Sequence, residues 1–313
     1  MDILIDILYI VIGFVLLVKG GDYLVDGAVA IARKAKLSSM VIGLTIVGFG
    51  TSAPELLVSL QAALAGSPGI SIGNVVGSNI ANIALILGVT SIICACPASK
   101  STLAIDTPFM ALSVILFMAV AMTGTISRIA GVVAVLMLVS FIVWQIRSSR
   151  KNAKNNDSND EQIMPLWKSI VIVLLSFAAL VIGADVLIDG AQGVAKSFGV
   201  SERIIGLTII AVGTSLPELF ASIMAARKGE TDMAIGNVIG SVTFNVLCVI
   251  GLSAVVCEIH DTAEGFLFDY ILMVALGLLL WLFLFTKRNL ERWEGVVLVL
   301  IYIGYIVRTV VMQ

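Results

Sequence analysis

The sequence predicts an all-α integral membrane protein of ten transmembrane helices, arranged as two five-helix repeats of inverted topology. Three observations lead there. The chain of 313 residues is 59% hydrophobic and only 13% charged, with a mean hydropathy of +1.08, well above the apolar share of an average soluble domain. One hexapeptide occurs twice in strongly apolar surroundings, as GTSAPE at Gly50–Glu55 and GTSLPE at Gly213–Glu218. Adding 163 to a residue number carries the first copy onto the second without a gap from Gly20/Gly183 to Gly88/Gly251, with roughly 31 identities in about 69 positions.

A bilayer core needs about 20 apolar residues per helix. On that criterion the spans fall at 3–32, 39–65, 71–96, 104–122 and 127–147, then at 165–195, 203–226, 233–257, 265–286 and 294–312. The acidic start MDILID runs into the first span without an A-x-A-like cleavage site, so that span is expected to remain as a helix. The polar stretch RSSRKNAKNNDSNDEQ, Arg147–Gln162, reads as a flexible joint. The expected organisation is a first repeat at 1–147, a linker at 148–164 and a second repeat at 165–313.

Basic residues set the expected orientation. Arg33, Lys34, Lys36, Lys100, Arg147, Arg150, Lys151, Lys154, Lys168, Arg227, Lys228, Lys287, Arg288 and Arg292 fall on one side of the ten spans; Arg128, Lys196, Arg203 and Arg308 fall on the other. The first side is then cytoplasmic, with the linker, and both termini lie outside. Five spans per copy make the repeats inverted. A multi-pass protein of the cell (plasma or inner) membrane follows, with the lipid bilayer as its surroundings. The net charge of -2 gives nothing for nucleic acid to bind.

The repeated hexapeptide carries the chemistry. Pro54 has no amide hydrogen and its ring clashes with the Gly50 carbonyl; Pro217 does the same to Gly213. Both helices should break, and broken backbone at membrane depth must be buried in protein or line a wet cavity. Glu55 and Glu218 would face each other across the repeat axis. In the following helix of each copy, GNVVGSNIAN and GNVIGSVTFN place Asn74, Ser78 and Asn82, and Asn237, Ser241 and Asn245, on one helical face at four-residue spacing. Gly73 with Gly77 and Gly236 with Gly240 form G-x-x-x-G, which admits a close partner backbone.

Asparagine and serine stripes also serve simply to bond neighbouring helices. Two related carboxylates, each beside a helix-breaking proline, point instead to an ion pathway. Every candidate ligand is a hard oxygen, which suits Ca2+ and Na+ rather than zinc or copper. Two carboxylates are neutralised by one Ca2+, by two Na+ or by two protons, and that competition is the physical basis of antiport.

Other polar residues carry weaker signals. Asp22 and Asp26, with counterparts Asp185 and Asp189, are expected to be interfacial charges bonding neighbouring helix ends, with an ion vestibule as the alternative. Lys19 could pair with Asp22, but its counterpart is Ile182. Cys94, Cys96, Cys248 and Cys257 read as small buried hydrophobes, and His260 as a solvated turn residue.

At these motifs the chain resembles the cation/Ca2+ exchanger superfamily, in particular the prokaryotic Na+/Ca2+ antiporters. The resemblance covers most of the chain and implies ions at the midplane, with the first and sixth helices sliding over a static core. It implies Ca2+ ligation by Glu55, Glu218 and the backbone oxygens of Thr51 and Thr214. It implies flanking Na+ sites at Ser52, Ser78, Ser215 and Ser241 with the carbonyls of Gly48 and Ala211, and Asn82 and Asn245 lining the middle. Asn245 stands where the archaeal pattern has Asp, Val242 and Thr243 replace an Asn-Ile pair, and Gly48 replaces Ala. The expected function is Na+/Ca2+ antiport that extrudes Ca2+, by a protein functional as a monomer, without a cofactor and without enzymatic chemistry. H+/Ca2+ antiport and a passive Ca2+ channel are the alternatives.

Overall fold

The computed structural model describes residues 3–153, 164–199, 211–260, 262 and 265–311. Long apolar segments become long helices: α1 (Ile3–Ala35), α4 (Pro68–Ile93), α5 (Thr102–Ala121), α6 (Arg128–Ala153), α7 (Leu166–Ser197), α10 (Thr231–Val256), α11 (Leu267–Lys287) and α12 (Arg292–Val311). These eight are long and apolar enough to cross a membrane. A ninth span among the described residues is the bent pair α2 (Ser39–Thr51) and α3 (Ala53–Leu64), which turns by 47° at one residue. Its counterpart is described only from the turn α8 (Ala211–Gly213) through α9 (Leu216–Arg227). The expected span at 203–226 therefore lies partly outside the described residues, as does most of the linker.

The large side chains exposed on α1, α6, α7, α11 and α12, among them Leu4, Leu136, Leu175, Leu282 and Leu300, are what lipid-facing helices require. Inside stand α4 and α10, whose apolar windows are 72% and 89% buried.

α1 and α7 run antiparallel along a seam of small residues. Gly13, Gly20 and Gly27 recur every seven residues on α1, and Gly183 and Gly190 on α7. A Cβ on Gly13 would lie 2.6 Å from the Gly183 carbonyl, and one on Gly190 2.5 Å from the Asp6 carbonyl. The backbones touch, which is how helices gain dispersion energy in a bilayer that offers no hydrophobic drive. The G-x-x-x-G of the second copy works in the same way. Gly236 would place a Cβ 2.7 Å from the Met40 carbonyl, and Gly240 meets the Leu44 carbonyl. The matching neighbours of Gly73 and Gly77, at 203–207, lie outside the described residues.

The helical architecture carries one small addition between its loops. Two antiparallel ladders of two residues each join loops: β1 (Cys96–Pro97) with β4 (Asn289–Leu290), and β2 (Thr125–Ile126) with β3 (Ile259–His260). They sit where helix hairpins of the two copies meet, and no alternating pattern long enough to signal a strand exists in two residues. His260 is thus part of a ladder, its Nδ1 3.3 Å from Thr125 Oγ1.

Candidate cation site

The breaks fall where the prolines require. Ser52 (φ -84°, ψ 4°) and Ser215 (φ -95°, ψ 5°) leave the helical conformation, and Pro54 and Pro217 occupy the first turn of α3 and α9, where no amide donor is needed. The chain closes each break tightly: the Ser52 amide donates to the Gly48 carbonyl at 3.1 Å, and the Ser215 amide to the Val212 carbonyl at 3.1 Å. Gly48, Gly50 and Thr51 lie in the last turns of α2, and Ala211 and Gly213 in α8. Thr214 stands beside the second break, half-buried.

Glu55 and Glu218 emerge one residue after each proline, 1% and 0% exposed. They lie near enough to feel each other's charge. Around them Thr51, Ser52, Ser78, Asn82, Ser215, Ser241 and Asn245 are all buried. Thr51 Oγ1 donates to the Val47 carbonyl at 3.1 Å and lies 3.4 Å from both Asn237 Oδ1 and Ser241 Oγ, which ties α2 to α10. Ser241 Oγ donates to the Gly48 carbonyl at 3.5 Å.

α4 and α10 do not pass the site as plain α-helices. Each widens into a π-helical segment, Ala81–Leu87 and Asn245–Val249, at Asn82 and Asn245. A third such segment, Gly43–Val47, precedes the first break. π segments inside α-helices frequently accompany functional sites.

The decisive property is what these buried groups lack. Both oxygens of Glu55, both amide atoms of Asn82, the Ser215 hydroxyl and Asn245 Oδ1 are buried without a hydrogen-bond partner, and Glu218 is buried beside them with the Thr51 and Ser52 side chains facing it. Leaving one buried polar atom unpaired costs about 1–3 kcal/mol. The oxygens among these groups, at the two breaks and on the facing helices, are hard ligands of the kind that a Ca2+ or Na+ ion takes.

A model of the sodium/calcium exchanger protein family matches residues 5–147 and 168–311. This chain belongs to the sodium/calcium exchanger family. The putative antiporter CaxA of Alkalimonas amylolytica is 37% identical over 96% of this exchanger and 98% of its own length. The sodium/calcium exchanger MaX1 of Methanosarcina acetivorans is 34% identical over 97% of this chain and 98% of its own. Among solved structures, the sodium-calcium exchanger NCX_Mj soaked with 2.5 mM Na+ and 10 mM Sr2+ superposes with a TM-score of 0.84 at 31% identity, covering 97% of this exchanger and 99% of that chain.

Sequence reasoning missed three residues of this exchanger's site. Asn74 Nδ2 donates to the Glu55 carbonyl at 3.1 Å and to Ser59 Oγ at 2.8 Å. In the second copy Asn237 Nδ2 donates to the Glu218 carbonyl at 3.2 Å and to Ser222 Oγ at 2.9 Å. The first asparagine of each stripe is thus a clamp on the backbone of the acidic residue. Ser59 and Ser222 stood in the 163-residue register as an identical pair, which was the available signal. The third is Asn79, whose Oδ1 accepts from Asn245 Nδ2 at 3.1 Å. Its counterpart is Val242, so the repeat pattern hid it.

Asp22 and Asp26 bond the C-terminal end of α9. Their partner is Lys228, not Lys19. The four cysteines are free thiols, two buried and two half-buried.

Proposed function

We propose that this protein exchanges Na+ for Ca2+ across a membrane by alternating access, as a monomer of ten transmembrane helices in two inverted five-helix repeats. The repeats are 1–147 and 165–313, joined by the segment 148–164. The observation that carries the reading is the burial of Glu55 and Glu218 together with the unpartnered buried oxygens of Glu55, Asn82, Ser215 and Asn245. The antiparallel α1/α7 seam and the reciprocal ladders β1–β4 and β2–β3 support the inverted arrangement, because each pairs an element of one copy with an element of the other.

In this reading Ca2+ binds between Glu55 and Glu218 with backbone oxygens of Thr51 and Thr214. Na+ ions bind on the flanks, at Ser52, Ser78, Ser215 and Ser241 with the carbonyls of Gly48 and Ala211, while Asn82 and Asn245 line the middle. Six to eight flexible oxygen ligands are what Ca2+ takes. Two carboxylates without a cation are costly to bury, so the site turns over only when filled. α1 and α7 then slide together along the core and open the site to one face at a time. No covalent step and no resident cofactor are involved.

The excess of basic residues places the linker in the cytoplasm and both termini outside, in the cell membrane. Inward Na+ expels Ca2+. If more than two Na+ enter per Ca2+, each extra charge contributes about 2.3 kcal/mol per 100 mV. The test is 45Ca2+ uptake into proteoliposomes loaded with Na+, with choline-loaded vesicles and an imposed pH gradient as parallel arms. Uptake with internal Na+ only is the expected result. Uptake driven by the pH gradient alone would assign the coupling ion as H+, and uptake without any gradient would mark a passive channel.

A further inference from the structure

Lys228 follows the last turn of α9, ten residues beyond Glu218 in the sequence and so roughly 15 Å along the chain direction from the cation site. It has no part in that site. Its Nζ lies 2.8 Å from Asp22 Oδ1 and 2.7 Å from Asp26 Oδ1, and also donates to the Asp22 carbonyl at 2.8 Å. Three oxygens of two successive turns of α1 therefore hold one ammonium at the end of α9.

The 163-residue register carries Asp22 to Asp185 and Asp26 to Asp189, but it carries Lys228 to Ala65. The two carboxylates are repeated and the lysine is not. Asp185 and Asp189 are exposed on α7. The apolar contacts are unequal in the same sense. Phe14 of α1 stacks edge-on against Phe220 of α9 with ring centroids 5.6 Å apart, and Gly21 lies against the Phe220 carbonyl. On α3, the counterparts of Phe220 and Ala221 are Leu57, 60% exposed, and Val58, 40% exposed.

We infer that Lys228 is a positioning residue of the transport cycle, an ionic latch that holds α1 on α9 and favours the conformer with the cytoplasmic side sealed. The inference rests on the alternating-access reading, in which α1 and α7 move between a seat on α9 and an equivalent seat on α3. In the reciprocal conformer Asp185 and Asp189 approach the methyl group of Ala65, which offers no charge. An interaction made in one conformer alone shifts the population by its full worth. Partly exposed ion pairs are individually weak, so two of them on one lysine are expected to change the ratio of the conformers by about 3- to 10-fold.

The experiment measures the half-saturating Ca2+ concentration for exchange at each face, in proteoliposomes of defined orientation, for wild type, Lys228→Met, Lys228→Arg and Ala65→Lys. The apparent affinity at a face scales with the fraction of protein open to it. Lys228→Met is expected to strengthen cytoplasmic Ca2+ affinity relative to the outer face by about 3- to 10-fold. Lys228→Arg should keep the wild-type ratio. Ala65→Lys, which supplies the missing partner for Asp185 and Asp189, should move the ratio in the same direction as Lys228→Met. In parallel, the distance between spin labels on α1 and α9 is recorded without ions in detergent. The short-distance population should fall in Lys228→Met and persist in Lys228→Arg. An unchanged ratio and unchanged distances in folded Lys228→Met would overturn the latch. Absence of Na+-driven Ca2+ uptake by the wild type would instead overturn the transport reading, while the spin-label distances would still test the contact.

Discussion

The two copies of the broken helix differ least at the break and most beyond it. At the break, GTSAPE and GTSLPE make the same turn at a serine, bury the same glutamate and receive the same asparagine clamp. One turn further, α9 is covered and α3 is not. Ala221 is 2% and Met224 7% exposed, whereas their counterparts are the exposed Val58 and Gln61. The difference follows from side chains. Phe220, Met224 and Lys228 reach α1; Leu57, Gln61 and Ala65 offer a smaller ring-free surface, a polar amide and no charge. On the proposed reading, a candidate cation site that is alike at its two breaks, but not at Asn79 and its counterpart Val242, sits between two seats that are less alike still.

The largest expected effect tests the symmetric centre. Glu55→Gln and Glu218→Gln should each lower exchange by on the order of 100- to 1000-fold, because either change removes one of the two buried negative charges that would neutralise a divalent cation. If the two carboxylates act as one site, the double variant is no worse than either single one. Full 45Ca2+ uptake by either single variant would show that the copies do not share a cation.

Next comes the seam that both conformers must keep. Gly190→Leu drives a side chain into the Asp6 carbonyl of α1 and should destabilise the protein by about 1–3 kcal/mol or more. Unlike Lys228→Met, it should leave the ratio of affinities at the two faces unchanged if α1 and α7 travel together as proposed. Thermal unfolding in detergent and the two-face assay separate these effects. A shifted ratio would mean that the seam itself slips during the cycle.

Asn79→Val transplants the residue of the second copy, Val242, into the first. It removes the acceptor that holds the Asn245 amide and leaves Asn245 free to turn its Oδ1 away from the centre. The loss of one buried hydrogen bond corresponds to about a 3- to 10-fold weaker Ca2+ half-saturation. Asn79→Asp keeps the acceptor and should retain most of the affinity. Equal weakening in both variants would show that size, not the acceptor, matters at this position.

Much of this could be read from the chain. Eight long spans and one bent pair among the described residues were legible from apolar length, and the interruptions at Ser52 and Ser215 from Pro54 and Pro217, which lack an amide donor and clash with the preceding turn. The shared helical face of Asn74, Ser78 and Asn82, and of Asn237, Ser241 and Asn245, was legible from their four-residue spacing. Gly20 with Gly183 and Gly27 with Gly190 stood in the register as identical pairs, but glycine spacing alone does not say which helix approaches. The ladders were not legible, since two residues carry no period. The Lys228 latch was not legible either: Asp22 and Asp26 announced themselves as a repeated pair, while their partner lies some 200 residues away and breaks the repeat.

The smallest effect probes the centre most finely. Asn74→Ala and Asn237→Ala each remove a clamp on the carbonyl of the acidic residue, and each leaves one buried serine hydroxyl, Ser59 or Ser222, without its donor. Each should cost about 1–2 kcal/mol of stability. Asn237 has a further link, because its Oδ1 lies 3.4 Å from Thr51 Oγ1 on the opposite copy. At that length it is a weak bond, so the two variants should agree within about 1 kcal/mol in denaturant titrations. Agreement would confine the asymmetry to the seats beyond the break. A much larger loss for Asn237→Ala would carry it into the site, and the second copy would then hold the cation more firmly than the first.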